Sequence, residues 1–270
     1  MTSAEEPTPM LLQDRVAIVS GIGPGLGRDA SLALAREGAR LALAARTPAK
    51  LEGVAKEVEA LGGRAISVPT DITRREDCAR LVERTLEAFG RVDVLVNNAF
   101  HPGRFAPIAD DDLTRWREPF EVNTLGSLQL TQAVIPAMKR QGAGSIVMIN
   151  SMVIRDVIPA MASYAASKAA LMAATLGLAR ELGPHGIRVN AVVPGYIWGA
   201  SLEGWFRHQA KQRGVDPRVV YDEVAKGIAL GRIPTSEEIA GAVVFFASDL
   251  SRVVTGQALD VNGGHVLRGF

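Results

Sequence analysis

A tyrosine and a lysine four residues apart, Tyr164 and Lys168 in Tyr164-Ala165-Ala166-Ser167-Lys168, are the pair in this sequence best suited to move a proton. On a helix, positions i and i+4 share a face, so the phenol and the ammonium lie side by side. A nearby cation favours phenolate and lowers the phenol from its usual pKa of about 10. Such a phenol serves as general acid or base near neutral pH. Alone, this spacing arises by chance and then marks only an exposed pair. Ser151, thirteen residues before Tyr164, adds a hydroxyl at the end of an apolar run that reads as a strand.

A second constellation lies near the start. The run Ser20-Gly21-Ile22-Gly23-Pro24-Gly25-Leu26-Gly27 follows the first apolar segment directly. The spacing that fits is Gly21-x-x-x-Gly25-x-Gly27. Glycines permit a tight strand-to-helix turn, and missing side chains let backbone N–H groups approach a pyrophosphate at a helix N-terminus. The competing reading is a turn with no ligand. The next strand ends Ala44-Ala45-Arg46-Thr47, without the carboxylate that accepts from a ribose 2′-hydroxyl. Arg46 can pair instead with a 2′-phosphate, which points to NADP rather than NAD; otherwise it is a solvated arginine. Asp71, in Thr70-Asp71-Ile72, is placed to meet an adenine or merely to cap the helix that follows.

These residues need a scaffold, and the pattern supplies one. Nearly continuous apolar runs at 16–19, 41–45, 65–68, 92–96, 145–149 and 189–193 read as strands covered on both faces. Helical spacing fills 25–37, 48–61, 74–89, 120–140 and 164–182. Thr47-Pro48 has the form of a helix start, and Gly38, Gly62 and Gly90 stand at expected helix ends. Thr73-x-x-Glu76 has the capping-box form. Strand–helix alternation at this period implies an α/β, Rossmann-type, doubly wound parallel sheet in a single domain. Residues 1–13 are expected to be a flexible tail and 14–270 the dinucleotide-binding domain. A polar insert around 198–230 reads as a lid over the substrate.

Composition removes other classes. Among 270 residues, 30 basic and 29 acidic side chains leave a net charge of +1, which argues against nucleic acid as a main partner. One cysteine, Cys78, excludes a disulfide framework and a four-cysteine zinc site, and no metal is expected. No apolar run reaches the roughly 20 residues of a membrane span, and the first ten residues do not read as a signal peptide. A cytoplasmic protein with no membrane partner is the expectation.

Together the motifs resemble the classical short-chain dehydrogenases/reductases over residues 14–264. Ser20-Gly21-x-x-x-Gly25-x-Gly27 is similar to the family's TGxxxGxG, and Asn97-Asn98-Ala99-Phe100 to its NNAG. Asn123 matches its active-site asparagine, and Ser151, Tyr164 and Lys168 match its Ser and YxxxK. Pro194-Gly195-Tyr196-Ile197 matches its PG segment. Thr255-Gly256-Gln257 and Val261-Asn262-Gly263-Gly264 resemble its C-terminal motifs. The resemblance implies an NAD(P)(H)-dependent oxidoreductase interconverting a small-molecule alcohol and a carbonyl, with NADP favoured over NAD. It gives Tyr164 the proton transfer, and Lys168 the lowering of its pKa and the nicotinamide ribose. Ser151 would bind the reacting oxygen, and Asn123 would hold a relay water. It places the cofactor against Ser20, Gly21, Gly25, Leu26, Gly27, Arg46, Asp71, Ile72, Asn98, Ala99, Tyr164, Lys168, Pro194, Gly195 and Ile197. It also implies a homotetramer or homodimer.

Four positions depart from that pattern: Pro24, Phe100, Gly199 and Asn262. Phe100 must line the substrate pocket or push the His101-Pro102-Gly103 loop aside. In the insert, Trp198, Leu202, Trp205 and Phe206 are either the lid's own packing face or a cover over a bulky apolar substrate. Its basic residues, Arg207, His208, Lys211, Arg213 and Arg218, are a solvated face or a guide for an acidic substrate. An enoyl reductase of related fold is disfavoured by the short Tyr164–Lys168 spacing. A dinucleotide-binding regulator without catalysis is disfavoured by the intact Ser151, Tyr164 and Lys168.

Overall fold

The computed structural model describes residues 10–267. Seven parallel strands form one sheet in the order β3-β2-β1-β4-β5-β6-β7. They are β1 (Val16–Ser20), β2 (Arg40–Ala45), β3 (Ala65–Pro69), β4 (Val94–Asn97), β5 (Gly144–Ile149), β6 (Ile187–Pro194) and β7 (Ala258–Val261). The central strands are apolar at successive positions because both faces are covered: every residue of β1 is buried. One face packs against α1 (Leu26–Arg36), α2 (Pro48–Ala60) and a helix near the C-terminus, through Leu34, Val58 and Phe246 among others. The other packs against α3 (Arg75–Phe89) and two further helices, through Leu81, Leu130 and Leu171. This is the doubly wound, single-domain sheet expected from the sequence.

After β4 the chain makes one turn of helix, α4 (Arg117–Pro119), then a π-helical segment, Phe120–Gly126, then α5 (Ser127–Gln141). Then come α6 (Ala162–Leu182), α7 (Ala200–Arg213), α8 (Pro217–Lys226) and α9 (Ser236–Ala247). Gly38, Gly62 and Gly90 all take positive φ at helix ends, as their positions suggest. The capping box at Thr73 does not form: Arg74 precedes α3, and no side chain caps it. The box forms instead at Thr235 and Glu238, ahead of α9. That helix lies on its own sheet, with Ile239, Val243 and Phe246 buried.

Three boundaries move. Residues 1–9 of the expected tail lie outside the described residues, and its last part is held to the fold. Leu12 is buried, and its N–H donates to the Glu37 carbonyl at 2.8 Å. The strand at 258–261 has no counterpart among the six expected, because it is short, at the sheet edge and only partly covered. The insert is two helices with a small core of its own, Phe206, Ala210, Val220, Ile228 and Ile233. No helix among the described residues is long and apolar enough to cross a membrane.

Candidate active site

The strand order reverses between β1 and β4, and the crevice at their C-terminal ends is where doubly wound sheets bind ligands. The glycine loop sits there. Ser20 Oγ donates to the Val96 carbonyl at 3.3 Å and accepts the Asn98 N–H at 3.2 Å, so it ties the two strand ends together. Asn98 Nδ2 donates to the Gly21 carbonyl at 2.9 Å. Gly21 has φ +75°, and a Cβ there would lie 2.4 Å from the Ala99 nitrogen. A Cβ on Gly27 would lie 2.5 Å from the Gly21 carbonyl oxygen. These two glycines let the turn close against β4. Gly25, with φ +103°, faces open space. It precedes Leu26, the buried first residue of α1, and no side chain caps that helix. Among the described residues no side chain accepts from the first-turn N–H groups of α1, and the Asp29 carboxylate in that turn is paired with Arg28, so the positive end of the dipole suits an anion. This geometry fits a dinucleotide pyrophosphate.

Beyond β2, Arg46 is exposed. Ile22 N–H donates to the Ala44 carbonyl at 3.2 Å, which holds the end of β2 beside the loop. Asp71 Oδ1 is engaged by its own turn: it accepts from Thr73 N–H at 3.0 Å and Thr73 Oγ1 at 2.8 Å. Asp71 thus closes a turn ahead of α3 and does not cap that helix. Ile72 is buried against Gly126, where a Cβ would approach it to 2.9 Å.

The proton-transfer residues converge from β5, α6 and the π-helical segment. Lys168 is buried, and its Nζ donates to the Ile149 carbonyl at 2.7 Å. The same nitrogen stands 5.9 Å from the centre of the Tyr164 ring. Asn150 braces this junction, donating to the Lys168 carbonyl at 3.1 Å and accepting the Ser151 N–H at 2.9 Å. Burial pulls the Lys168 amine down to about 7. Burial pushes the Tyr164 phenol up to about 12, opposed by a hydrogen bond with Ser151. This corrects the expectation of a depressed phenol. Desolvation outweighs the neighbouring amine, which burial has itself made easy to neutralise.

Asn123 is fully buried in the π-helical segment, a local geometry common at functional sites. Its Oδ1 accepts the His101 N–H at 2.7 Å. Its Nδ2 donates to the His101 carbonyl and to Ser167 Oγ, both at 2.9 Å. Both amide hydrogens are used within the protein, while Oδ1, with one bond, keeps a second lone pair. Ser167 Oγ in turn donates to the Tyr164 carbonyl at 2.8 Å. The His101 and Ser167 contacts were not legible in the sequence, because one uses a backbone and the other lies inside an alanine-rich helix.

Pro194 closes β6, and Gly195 packs against Asn262: a Cβ on it would lie 2.8 Å from that residue's Cβ. Asn262 Oδ1 accepts the N–H groups of Gly264 and His265, so it caps the final turn. Ile197 is half-buried against the core, and Gly199 is extended. Phe100 is 61% exposed. Among the described residues no cluster of metal-ligating side chains occurs.

In the insert, Phe206 is buried against Trp198 and Tyr221, and Leu202 packs with them, so this apolar stripe is internal packing. Trp205 alone of the four remains substantially exposed. Arg207, Arg213 and Arg218 pair with Glu203, Glu223 and Asp222. The insert's basic run is thus largely neutralised by its own acids.

The sheet, the glycine loop and the Ser151–Tyr164–Lys168 cluster define a dinucleotide-binding oxidoreductase architecture. The family described as Enoyl-(Acyl carrier protein) reductase matches residues 21–265. The chain is 34% identical to the 3-oxoacyl-[acyl-carrier-protein] reductase FabG of Thermotoga maritima, over 96% of this chain and all of that one. NAD+-bound xylitol dehydrogenase superposes with a TM-score of 0.87 at 33% identity, covering 94% of this chain and 99% of the other. A 7α-hydroxysteroid dehydrogenase complexed with NADH and 7-oxo glycochenodeoxycholic acid gives 0.84 at 30% identity, covering 95% and 96%. The chain belongs to the short-chain dehydrogenase/reductase family, and it is an oxidoreductase with that family's nicotinamide-dinucleotide-binding fold.

Proposed function

We propose that this protein reduces a ketone to a secondary alcohol, and catalyses the reverse, with NADP(H) preferred over NAD(H). The observation that carries the reading is the convergence of Ser151, Tyr164 and Lys168 at the C-terminal end of β5, on the same edge of the sheet as the glycine loop. The cofactor supplies the hydride. Tyr164, protonated at neutral pH, donates the proton to the reacting oxygen. Ser151 hydrogen-bonds the same oxygen as charge develops. Lys168 stabilises the phenolate left behind and holds the nicotinamide ribose. Asn123 keeps the start of α6 in register through Ser167.

Ser20, Gly21, Gly25, Leu26 and Gly27, with the N-terminus of α1, would hold the pyrophosphate. Asp71, Ile72, Asn98 and Ala99 would lie along the adenosine half, and Pro194, Gly195 and Ile197 along the nicotinamide half. Arg46, exposed beyond β2 with no carboxylate beside it in sequence, supports a 2′-phosphate contact.

A bulky apolar substrate is supported by side chains other than the lid's. Phe100, Phe105, Ile108 and Val157 are each about 60% exposed. They sit on two loops joined by Ala106 N–H to the Ala160 carbonyl at 3.0 Å, one of which leads into Tyr164. A 3-oxoacyl thioester is a second substrate class, favoured by the relative of that activity. Enoyl reduction is favoured only by the description of the matched family and disfavoured by the Tyr164–Lys168 spacing. We also place the protein in the cytoplasm as a homotetramer or homodimer.

Titration of the purified chain with NADPH and NADH, read by nicotinamide fluorescence, tests the cofactor assignment. Arg46→Ala should weaken NADPH about tenfold or more, the weight of a charge-assisted hydrogen bond, and leave NADH unchanged. Equal losses for both dinucleotides would remove the 2′-phosphate contact.

A further inference from the structure

The turn 101–103 touches both halves of the catalytic cluster. At one end, the His101 backbone grips the Asn123 amide from both sides, N–H to Oδ1 at 2.7 Å and Nδ2 to carbonyl at 2.9 Å. At the other, Gly103 rests on the first turn of α6. A Cβ there would lie 2.6 Å from Ser163 Oγ and 3.5 Å from the Tyr164 nitrogen. Ser163 Oγ is buried with no hydrogen-bond partner among the described residues, so this contact is steric, and it requires the bare backbone that Gly103 offers at φ +70°.

The His101 side chain closes the turn between these contacts. Its Nδ1 accepts the Gly103 N–H at 3.2 Å. This is an i to i+2 side-chain-to-backbone bond, the arrangement that Asn and Asp supply in an Asx turn. An acceptor at Nδ1 puts the neutral ring's proton on Nε2. Nε2 stands 3.7 Å from the Glu118 carboxylate on α4, the single helical turn that leads into Asn123's segment. The ring therefore spans from its own turn to the helix that carries the asparagine.

We propose that His101 is a positioning residue for proton transfer. Its imidazole fixes the turn 101–103, and the turn sets Asn123 and the start of the Tyr164 helix relative to each other. The inference rests on the roles assigned above to Asn123 and Tyr164. Nothing in the Ser151–Tyr164–Lys168 pattern or in the glycine loop points to it. The signal is a histidine whose side chain closes its own turn while its backbone bonds the Asn123 amide.

The test uses the full chain in two variants, His101→Ala and His101→Asn. Asparagine restores an acceptor for the Gly103 N–H, and alanine does not. Hydrogen exchange measured by mass spectrometry is the first readout. Exchange in peptides covering 101–103 and 120–126 should rise about five- to tenfold in His101→Ala, the weight of one such bond, and return close to the unsubstituted rate in His101→Asn. Carbonyl reduction is the second. His101→Ala should lose about tenfold in kcat with the KM for NADPH unchanged, and His101→Asn should recover most of it. Two variants that behave alike in exchange, both unperturbed or both perturbed, would overturn the proposal. If the unsubstituted chain reduces no carbonyl, the functional reading fails, while the exchange comparison still decides whether His101 holds the turn.

Discussion

Lys168→Met isolates the cost of burying an ammonium beneath the Tyr164 ring. Folding takes the amine from a pKa of 10.5 to about 7, and burial is the cause. A base whose pKa falls on folding binds fewer protons in the native state than in the unfolded state, so stability rises with pH across the interval between the two values. The contribution is complete above 10.5 and is lost progressively as pH falls towards 7. At pH 6 both states carry the charge, and the difference of about 3.5 in pKa corresponds to about 5 kcal/mol of destabilisation at 1.36 kcal/mol per unit. At pH 9 the native amine is neutral while the unfolded one is still protonated, which leaves about 2 kcal/mol. This one group therefore makes the fold about 3 kcal/mol more stable at pH 9 than at pH 6. Tyr164 adds little in that interval, because a phenol raised to about 12 stays protonated in the folded chain. Methionine removes the charge but keeps the length. It also leaves the Ile149 carbonyl without its donor, at a cost of about 1–3 kcal/mol that does not depend on pH. The assay is urea unfolding of both chains at pH 6 and pH 9, without cofactor. The unsubstituted chain should gain about 3 kcal/mol more than Lys168→Met between the two pH values. Other titrating groups are common to both chains and cancel. Parallel pH dependence in the two chains would show that the ammonium is not desolvated, and would refute the burial argument.

Other outcomes follow from the same geometry. Tyr164→Phe should retain NADPH binding by fluorescence titration and lose at least about a thousandfold in kcat, since it removes the only proton donor assigned to the reacting oxygen. Turnover within about tenfold of the unsubstituted chain would dismiss that assignment. Gly21→Ala combines a positive φ with a Cβ 2.4 Å from the Ala99 nitrogen, so it should lower stability by about 1–3 kcal/mol and abolish dinucleotide binding. Thermal unfolding and the same titration check both parts, and a variant that binds NADPH normally would mean that the loop does not hold the pyrophosphate.

The alternation of apolar strands and amphipathic helices was readable because a parallel sheet buried on both faces demands continuous apolar strands such as Val16–Ser20. Gly21, Gly25 and Gly27 were readable because two of them take a positive φ and two allow a close backbone approach that no side chain would permit. Ser151, Tyr164 and Lys168 were readable because strand-end and i, i+4 placement follow from chain geometry alone. The seventh strand escaped because four half-covered edge residues carry almost no pattern. The capping box was misplaced because Asp71 and Asp77 hold the start of α3 through other bonds.

The protonation of the site belongs to the tertiary structure. Tyr164 and Lys168 are neighbours in any helix, and on that basis the amine should depress the phenol. Only the fold buries Lys168 and half-buries Tyr164, and desolvation then raises the phenol and lowers the amine. The destination of the insert's apolar stripe was likewise open until α7 and α8 packed together, turning Leu202 and Phe206 inward and leaving Trp205 out. His101 joined the site the same way, through backbone groups that every residue possesses and that only folding brings to Asn123. Local chemistry, read along the chain, sets which groups can react. Burial and long-range contacts set their charge and their aim, because solvation and alignment are properties of the packed molecule rather than of any segment.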